Sequence, residues 1–135
     1  MFIKKAFGFS LLELMVAVAI LAIIGAIAFP SYISYVTNAR RADGQTALLD
    51  LANRMERYFT MNNTYVGATL TAVGADATSP DGFYGLSITN TSATAYTLQA
   101  APQGAQASDT TCGTLTLNEL GQKGETGTGT AQECW

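Results

Sequence analysis

The strongest pattern in this 135-residue chain is an uninterrupted apolar run near its beginning. Leu14 to Phe29 contains no polar side chain, and Leu11 to Phe29 would span about 28 Å as an α-helix. The hydrocarbon core of a bilayer is about 30 Å thick, so the run predicts one membrane-spanning helix. Pro30 follows directly and predicts a kink, because proline lacks the N–H group and crowds the preceding turn.

After Pro30 the pattern changes from apolar on all sides to amphipathic. Large apolar residues recur at helical spacing and form one stripe: Leu48, Leu51, Met55, Tyr58 and Phe59. Asp50 and Arg54 add an i,i+4 ion pair in the favourable order. Residues 37–46 are poor in large apolar groups, so we expect this segment to cross solvent between the membrane and the globular part. Asn62 predicts the end of the helix.

Three short segments further along the chain alternate apolar and polar residues, as strands with one buried face do. Their apolar positions are Tyr84, Leu86 and Ile88, then Tyr96, Leu98 and Ala100, then Leu115 and Leu117. Short links rich in Asn, Ser, Thr, Pro and Gly favour an antiparallel meander. We expect one face of this sheet to pack on the apolar stripe of the helix. Residues 62–82 are a predicted loop, and the Gly- and Thr-rich tail 121–132 is expected to be mobile unless a disulfide holds it.

A single carboxylate, Glu13, stands near the head of the apolar run. An uncompensated carboxylate in hydrocarbon costs several kcal/mol, so membrane segments keep one only where it is paired or functional. If the chain were cut after Gly8, Phe9 would acquire an α-amino group of the opposite charge. We therefore predict that Glu13 is a docking charge for the N-terminus of a neighbouring copy.

This arrangement resembles the class III signal of bacterial type IV pilins. The residues that carry the resemblance are Lys4-Lys5 before Gly8, then Phe9-Ser10-Leu11-Leu12-Glu13 and the apolar helix after them. The resemblance implies that a prepilin peptidase cleaves between Gly8 and Phe9 and methylates Phe9. The conserved family glutamate, fifth after the cut, falls on Glu13.

Segments beyond the signal resemble the minor pilins of the PilE type. They are Glu56-Arg57-Tyr58-Phe59, Asn62-Asn63-Thr64-Tyr65, Cys112-Gly113-Thr114-Leu115-Thr116-Leu117 and the terminal Cys134-Trp135. The resemblance implies an α+β pilin fold, in which a long N-terminal helix packs on a small antiparallel sheet with a C-terminal disulfide loop. The expected division is a leader at 1–8, a transmembrane or filament-core helix at 9–29, its amphipathic continuation at 30–61, and a globular sheet with the disulfide loop at 62–135.

An ordinary secretory signal peptide competes with this interpretation. Lys4 and Lys5 supply a basic start, and Ala26-Ile27-Ala28 supplies a cleavage-site pattern. The apolar run is longer than the usual ~7–15 residues, however, and an acidic residue at its head is unusual. A mature protein that starts at Phe29 would favour the signal peptide.

Two cysteines, Cys112 and Cys134, follow a segment that addresses the chain to the cell envelope. In an oxidising periplasm this pair predicts one disulfide. The spacing is not C-x-x-C, so a redox-active pair is the weaker interpretation.

Charge and composition narrow the classes of function. Removal of residues 1–8 would take away Lys4 and Lys5 and change the formal net charge from −3 to −5. This negative charge disfavours a surface that binds nucleic acid by neutralising its phosphates. The chain has no histidine, so it lacks the commonest general base and metal ligand. We therefore expect no enzyme activity, no catalytic residues, no metal, no cofactor and no direct nucleic-acid site. Three loop carboxylates, Asp76, Asp81 and Asp109, leave calcium binding open as an alternative. Their spacing matches no calcium-loop motif, so we expect them to be solvated turn residues.

The function that these observations favour is that of a structural subunit, expected to be a minor pilin, of a type IV pilus. The resemblance implies as partners other pilin subunits in homo- or hetero-polymers, the prepilin peptidase and the pilus assembly machinery. It places the subunit in the inner membrane before assembly and in the extracellular pilus afterwards. Two alternatives remain open: a pseudopilin of a type II secretion system, and a membrane-anchored or secreted binding module that does not polymerise.

Overall fold

The computed structural model of the protein describes residues 8–135, and these fall into two compact units that divide between Val36 and Thr37. The element order is a long helix α1 (Leu11–Asn62), strands β1 (Tyr84–Thr89) and β2 (Thr97–Pro102), a 3₁₀ turn (Gly104–Ser108), strands β3 (Leu115–Asn118) and β4 (Lys123–Glu125), and a short helix α2 (Ala131–Cys134). Lys4 and Lys5 of the predicted leader lie outside the described residues.

The first unit contains the apolar beginning of α1. Its side chains are exposed, including Leu12 at 73% and Ile27 at 70%. By length and composition, α1 is the one helix in residues 8–135 that could cross a membrane. Pro30 lies inside α1, and Ser34 Oγ donates a hydrogen bond to the Pro30 carbonyl at 3.2 Å. The kink at Pro30 stays a prediction.

In the second unit, α1 buries one face, and this confirms the predicted stripe. Leu48, Leu51 and Met55 are at most 1% exposed, while Tyr58 and Phe59 are half-buried against the same core. The helix ends at Asn62, as predicted, and Asn63 adopts φ 59° with its amide bonded to the Phe59 carbonyl. That left-handed residue closes the helix and turns the chain into the loop.

The four strands form one antiparallel sheet in the order β1-β2-β3-β4. Tyr84, Leu98 and Leu115 point into the core, whereas the ladder Ser87–Gln99–Thr116 forms part of the other face. The meander topology and its first three strands agree with the sequence patterns. The fourth strand was not predicted, because it lies in the Gly- and Thr-rich tail, which lacks the alternation of apolar and polar residues.

The expectation for residues 37–46 is wrong. This segment is helical and packs within the globular unit, with Gly44 buried. A Cβ atom on Gly44 would lie 2.9 Å from the ring of Tyr84. The absence of large apolar groups therefore marks a close approach of the helix to an aromatic ring, and not a solvated linker.

The tail is held by backbone pairing as well as by the predicted disulfide. Cys112 and Cys134 are bonded with a Cα–Cα distance of 5.5 Å, which confirms that pair. Gly127 and Gly129 donate backbone hydrogen bonds to the carbonyls of Cys112 and Thr111. A Cβ atom on Gly127 would lie 2.1 Å from the Thr111 carbonyl oxygen, so only glycine allows this contact.

Candidate functional site

The predicted processing site precedes the first helix. Gly8, Phe9 and Ser10 are exposed residues outside α1. No described atom lies within 4 Å of the position that a Cβ on Gly8 would occupy. A Cβ at Gly8 would therefore meet no obstacle within residues 8–135.

Glu13 lies in the first turn of α1, where Ser10 caps the helix. The amide of Glu13 donates to Ser10 Oγ at 3.1 Å, and the amide of Leu14 donates to the Ser10 carbonyl at 3.1 Å. These are the contacts of an N-cap residue. Within residues 8–135, no hydrogen bond or ion pair reaches the Glu13 carboxylate. The carboxylate is consequently open to an external partner.

The surroundings of Glu13 are apolar and exposed. Leu11, Leu12 and Leu14 are 59–77% exposed, and large apolar side chains continue along the helix to Phe29. An apolar surface of this extent must be covered by lipid or by protein. Glu13 is the sole acidic side chain on the helix as far as Asp43. A partner that covers this surface would therefore meet one isolated negative charge.

A buried ion pair joins α1 to the loop before β3. Arg41 donates to both carboxylate oxygens of Asp109, at 2.7 and 2.8 Å, and the Asp109 side chain is 2% exposed. The hydrogen bond from Arg41 holds the pKa of the Asp109 carboxyl below its usual range. The expectation that Asp109 is a solvated turn residue is therefore wrong, whereas Asp76 and Asp81 are exposed.

Gln106 extends this network into the core. Its Nε2 lies 3.1 Å from the Tyr84 hydroxyl and 3.2 Å from both Asp109 Oδ2 and the Thr37 carbonyl. The Gln106 side chain is fully buried, and its Oε1 has no hydrogen-bond partner within the described residues. Gln106 thus links the start of the globular part of α1 to the loop that carries Asp109.

A second carboxylate on α1 holds the loop before β1. Asp43 accepts hydrogen bonds from the hydroxyl of Ser79 and from the amides of Asp81 and Phe83. Ser79 Oγ in turn accepts the amide of Tyr84 at 3.0 Å. Asp43 therefore fixes the entry of the chain into the sheet.

A third carboxylate, Glu56, accepts two tyrosine hydroxyls. Tyr65 donates to it at 2.9 Å and Tyr96 at 3.2 Å. Burial, and then the hydrogen bond to Glu56, raise the pKa of Tyr65 to about 12. Burial and the negative charge of Glu56 also raise the pKa of Tyr96. Both phenols are therefore neutral donors at any ordinary pH, and the cluster is structural.

Most basic side chains of the globular unit are already engaged. Arg41 pairs with Asp109 and Arg54 with Asp50. Arg40 lies 4.6 Å above the ring of Phe83, and Lys123 lies 5.1 Å from the ring of Trp135. Among residues 8–135 there is also no group of three or more acidic, cysteine or histidine side chains placed to hold a metal ion.

Trp135 closes the disulfide region. Its indole Nε1 donates to the carbonyl of Gly124 at 3.0 Å, and Gln45 Nε2 donates to the Cys134 carbonyl at 2.8 Å. These contacts pin the end of the tail beside the disulfide.

The sequence matches two family models. One, described as "Type IV minor pilin ComP, DNA uptake sequence receptor", matches residues 30–116, and the other, the prokaryotic N-terminal methylation motif, matches residues 3–29. The type IV major pilin protein PilA of Myxococcus xanthus (strain DK1622) is 34% identical over 58 residues, which are 43% of this chain and 26% of PilA. The match thus spans about a quarter of the length of that relative.

Two solved structures are similar to the chain. The non-core minor pilin PilV of Neisseria meningitidis is 26% identical with a TM-score of 0.58, over 70% of this chain and 90% of the PilV chain. A type IV pilin from Shewanella oneidensis is 31% identical with a TM-score of 0.51, over 64% of this chain and 89% of that pilin.

The helix, the four-stranded antiparallel sheet, the C-terminal disulfide and the methylation motif together define a type IV pilin. The resemblance noted in the sequence and the predicted α+β pilin fold are thereby confirmed. Because the first model covers more than half of the chain, the chain belongs to the ComP family of type IV minor pilins. Pilin families consist of structural proteins, and their members assemble with other pilins into pili.

The structure brings together only some of the residues that the sequence singled out. Cys112 and Cys134 form the disulfide. The Glu13 amide bonds to the N-cap Ser10, whereas the Glu13 carboxylate pairs with no charged group in residues 8–135. The Arg41–Asp109 pair was missed. No sequence signal identifies that pair, since its members are 68 residues apart.

Proposed function

We propose that this minor pilin is cut between Gly8 and Phe9, is N-methylated at Phe9, and docks into a pilus through its Glu13 carboxylate. The observation that carries the proposal is the open carboxylate of Glu13 on an exposed apolar helix. The match of the N-terminal methylation motif to residues 3–29 supports the processing step.

The physical driving force is electrostatic. Before assembly the apolar helix lies in the inner membrane as a single pass, and in the filament it packs against other helices. The exchange of lipid for protein contacts is nearly neutral in hydrophobic free energy, so polar contacts and packing must direct it. A Glu13 carboxylate and a Phe9 ammonium attract strongly in this low-dielectric setting. The pairing would also set the register between neighbouring helices.

The prepilin peptidase and the pilus assembly machinery are the partners that this route requires. A bulky residue at Gly8 tests the first of them, because the peptidase must approach the backbone there. A Cβ at this position would contact no described atom outside the neighbouring residues. We expect Gly8→Leu to accumulate at full length in the inner membrane. Migration of Gly8→Leu as the shorter mature form would exclude cleavage at this bond.

The docking step is tested by Glu13→Gln, which keeps the size and the hydrogen-bonding capacity of the side chain but removes its charge. We expect insertion and processing to survive, and the share of the variant in sheared pili to fall more than about tenfold. Glu133→Gln is the matched control, since it removes a carboxylate from the first turn of α2. Normal incorporation of Glu13→Gln would show that the charge does not dock the subunit.

DNA recognition is a second candidate function, and the family match over residues 30–116 favours it. A net charge of −5 after processing and the engaged arginines disfavour binding through broad phosphate neutralisation. Arg57 is exposed and outside both ion pairs of the described chain. Duplex DNA at low salt should be retained by the purified mature protein, and Arg57→Gln should weaken retention more than Arg54→Gln. An absence of retention at low salt would exclude this function.

A further inference from the structure

Both α-helices of the described chain begin with the capping-box pattern, Ser or Thr followed three residues later by Glu. The first is Ser10-Leu11-Leu12-Glu13 at the start of α1, and the second is Thr130-Ala131-Gln132-Glu133 at the start of α2. In such a box the hydroxyl accepts the amide of the glutamate, and the glutamate carboxylate reaches back to the amide of the capping residue. The two boxes can be compared directly, because both lie within the described chain.

In the second box the glutamate reaches back to the capping residue. The carboxylate of Glu133 accepts the Thr130 amide at 2.9 Å and the Thr130 hydroxyl at 3.2 Å. The first box is closed in one direction only. Ser10 Oγ accepts the Glu13 amide at 3.1 Å, but no described donor reaches the Glu13 carboxylate.

We infer that Ser10 is the positioning residue for Glu13 in assembly: its hydroxyl fixes the first turn of α1 while the carboxylate stays open for a neighbouring subunit. This inference rests on the proposed docking role of Glu13. The Ser10 cap starts the helix one residue after Phe9, so the spacing between the new N-terminus and Glu13 is set by the cap. Without the cap the first turn would fray, and the backbone would no longer fix the position of the Glu13 side chain.

The experiment measures the share of a variant in sheared pili, divided by the amount of its processed form in the membrane, in cells that also make the wild-type chain. This ratio removes any effect of Ser10 on cleavage. We expect Ser10→Ala to lower the ratio about fivefold, the change in an equilibrium that loss of an N-cap produces. Ser10→Thr keeps the hydroxyl and should stay within about twofold of wild type. Thr130→Ala, which removes the cap of α2, should leave the ratio unchanged.

A double-mutant cycle with Glu13→Gln separates positioning from a general effect on the helix. If Ser10 acts through the Glu13 charge, Ser10→Ala should add less than about twofold to the loss in Glu13→Gln. If Ser10→Ala lowers the ratio about fivefold in the Glu13→Gln variant as well, the inference about Ser10 is wrong. It is also wrong if Ser10→Ala is incorporated like wild type while Glu13→Gln is defective. Both outcomes leave the docking role of Glu13 intact. Wild-type incorporation of Glu13→Gln would overturn the docking role, and the inference with it.

Discussion

The two units of the chain differ in whether their apolar side chains are buried and whether their carboxylates are paired. In residues 8–36, large apolar side chains are exposed and the lone carboxylate has no described partner. In residues 37–135, apolar side chains of the helix and the sheet form a buried core, and the buried carboxylate of Asp109 is paired. The second unit therefore covers its own core and pairs its buried charge, whereas the first exposes an apolar surface that lipid or protein must cover. Under the proposed docking role, the first unit is the part of the chain that serves assembly.

The comparison is tested most severely at Asp109. Asp109→Ala leaves Arg41 buried without its partner, so we expect the free energy of unfolding to fall by about 3–5 kcal/mol. Asp50→Ala is the matched control, because the Asp50 side chain is 57% exposed and its pair with Arg54 should contribute only about 0.3–0.5 kcal/mol. Urea unfolding of the mature protein in detergent measures both. Equal losses would mean that burial does not distinguish the two pairs.

The same pair predicts a dependence on pH. Arg41 lowers the pKa of Asp109 in the folded protein, so the folded state binds fewer protons than the unfolded state between the two pKa values. The stability contributed by this pair is thus complete above the unfolded pKa of about 3.9 and is lost as the pH falls through the folded value. Asp109→Asn should flatten the decline of the urea midpoint below about pH 4. If the urea midpoint of Asp109→Asn falls as steeply as that of wild type, the loss of stability at low pH comes from other carboxylates.

The disulfide is expected to have a similar but somewhat smaller effect. Replacement of Cys112 and Cys134 by serine should cost about 2–5 kcal/mol, the usual range for small exported domains. Lys123 is the one tryptic site after Arg57, so trypsin can report directly on the tail. We expect faster cleavage at Lys123 in the variant, slowed by the remaining backbone pairing of residues 126–129. Unchanged unfolding and unchanged cleavage would show that the backbone pairing alone holds the tail.

The two glycines inside α1, Gly25 and Gly44, test the difference between the two units with a smaller expected change in the free energy of unfolding. Gly44→Ala places a Cβ 2.9 Å from the Tyr84 ring and should destabilise the globular unit by about 1–3 kcal/mol, less a gain of up to ~1 kcal/mol in helix propensity. Gly25→Ala is the matched control, because no described atom lies within 4 Å of its Cβ position. Thermal unfolding should separate the two variants. A destabilisation by Gly25→Ala of the same size would contradict the division into two units.

The smallest expected effect is at Leu21, which is 66% exposed. Leu21→Ala should change the free energy of unfolding of the globular unit by less than about 0.5 kcal/mol, as exposed positions usually do. Urea unfolding followed by the near-ultraviolet signal of Trp135 isolates this unit. A loss above about 1 kcal/mol would show that the apolar helix supports the globular fold.

The elements that depend on local pattern could be predicted from the sequence. The apolar helix, the stripe through Leu48 and Leu51 and the first three strands each follow from a periodicity that neighbouring residues share. The disulfide followed from the presence of two cysteines in a chain addressed to the envelope. These features need no knowledge of distant partners.

The features that depend on distant partners could not be predicted. Gly44 is required because the ring of Tyr84 packs against the helix at this position. Asp109 can be buried because Arg41 pairs with it. The glycines of the tail resembled a low-complexity segment, although Gly127 permits a close backbone contact with Thr111. In the candidate site, Glu13 could be identified from its isolation in an apolar run, and the spacing of Ser10 and Glu13 is itself a capping pattern. The structure adds that the Ser10 hydroxyl accepts the Glu13 amide while no described donor reaches the carboxylate.

The pairing between subunits can be measured directly in assembled pili. With ¹³C in the side-chain carboxyl of glutamate and ¹⁵N in the phenylalanine of the mature protein, solid-state NMR reports the distance between the Glu13 carboxylate and the Phe9 nitrogen. Pili that mix ¹³C-labelled and ¹⁵N-labelled subunits limit the signal to contacts between copies. We expect an ionised carboxylate whose oxygen lies within about 4 Å of the nitrogen of a neighbour. A protonated Glu13, or the absence of dipolar coupling between copies, would contradict docking through this charge.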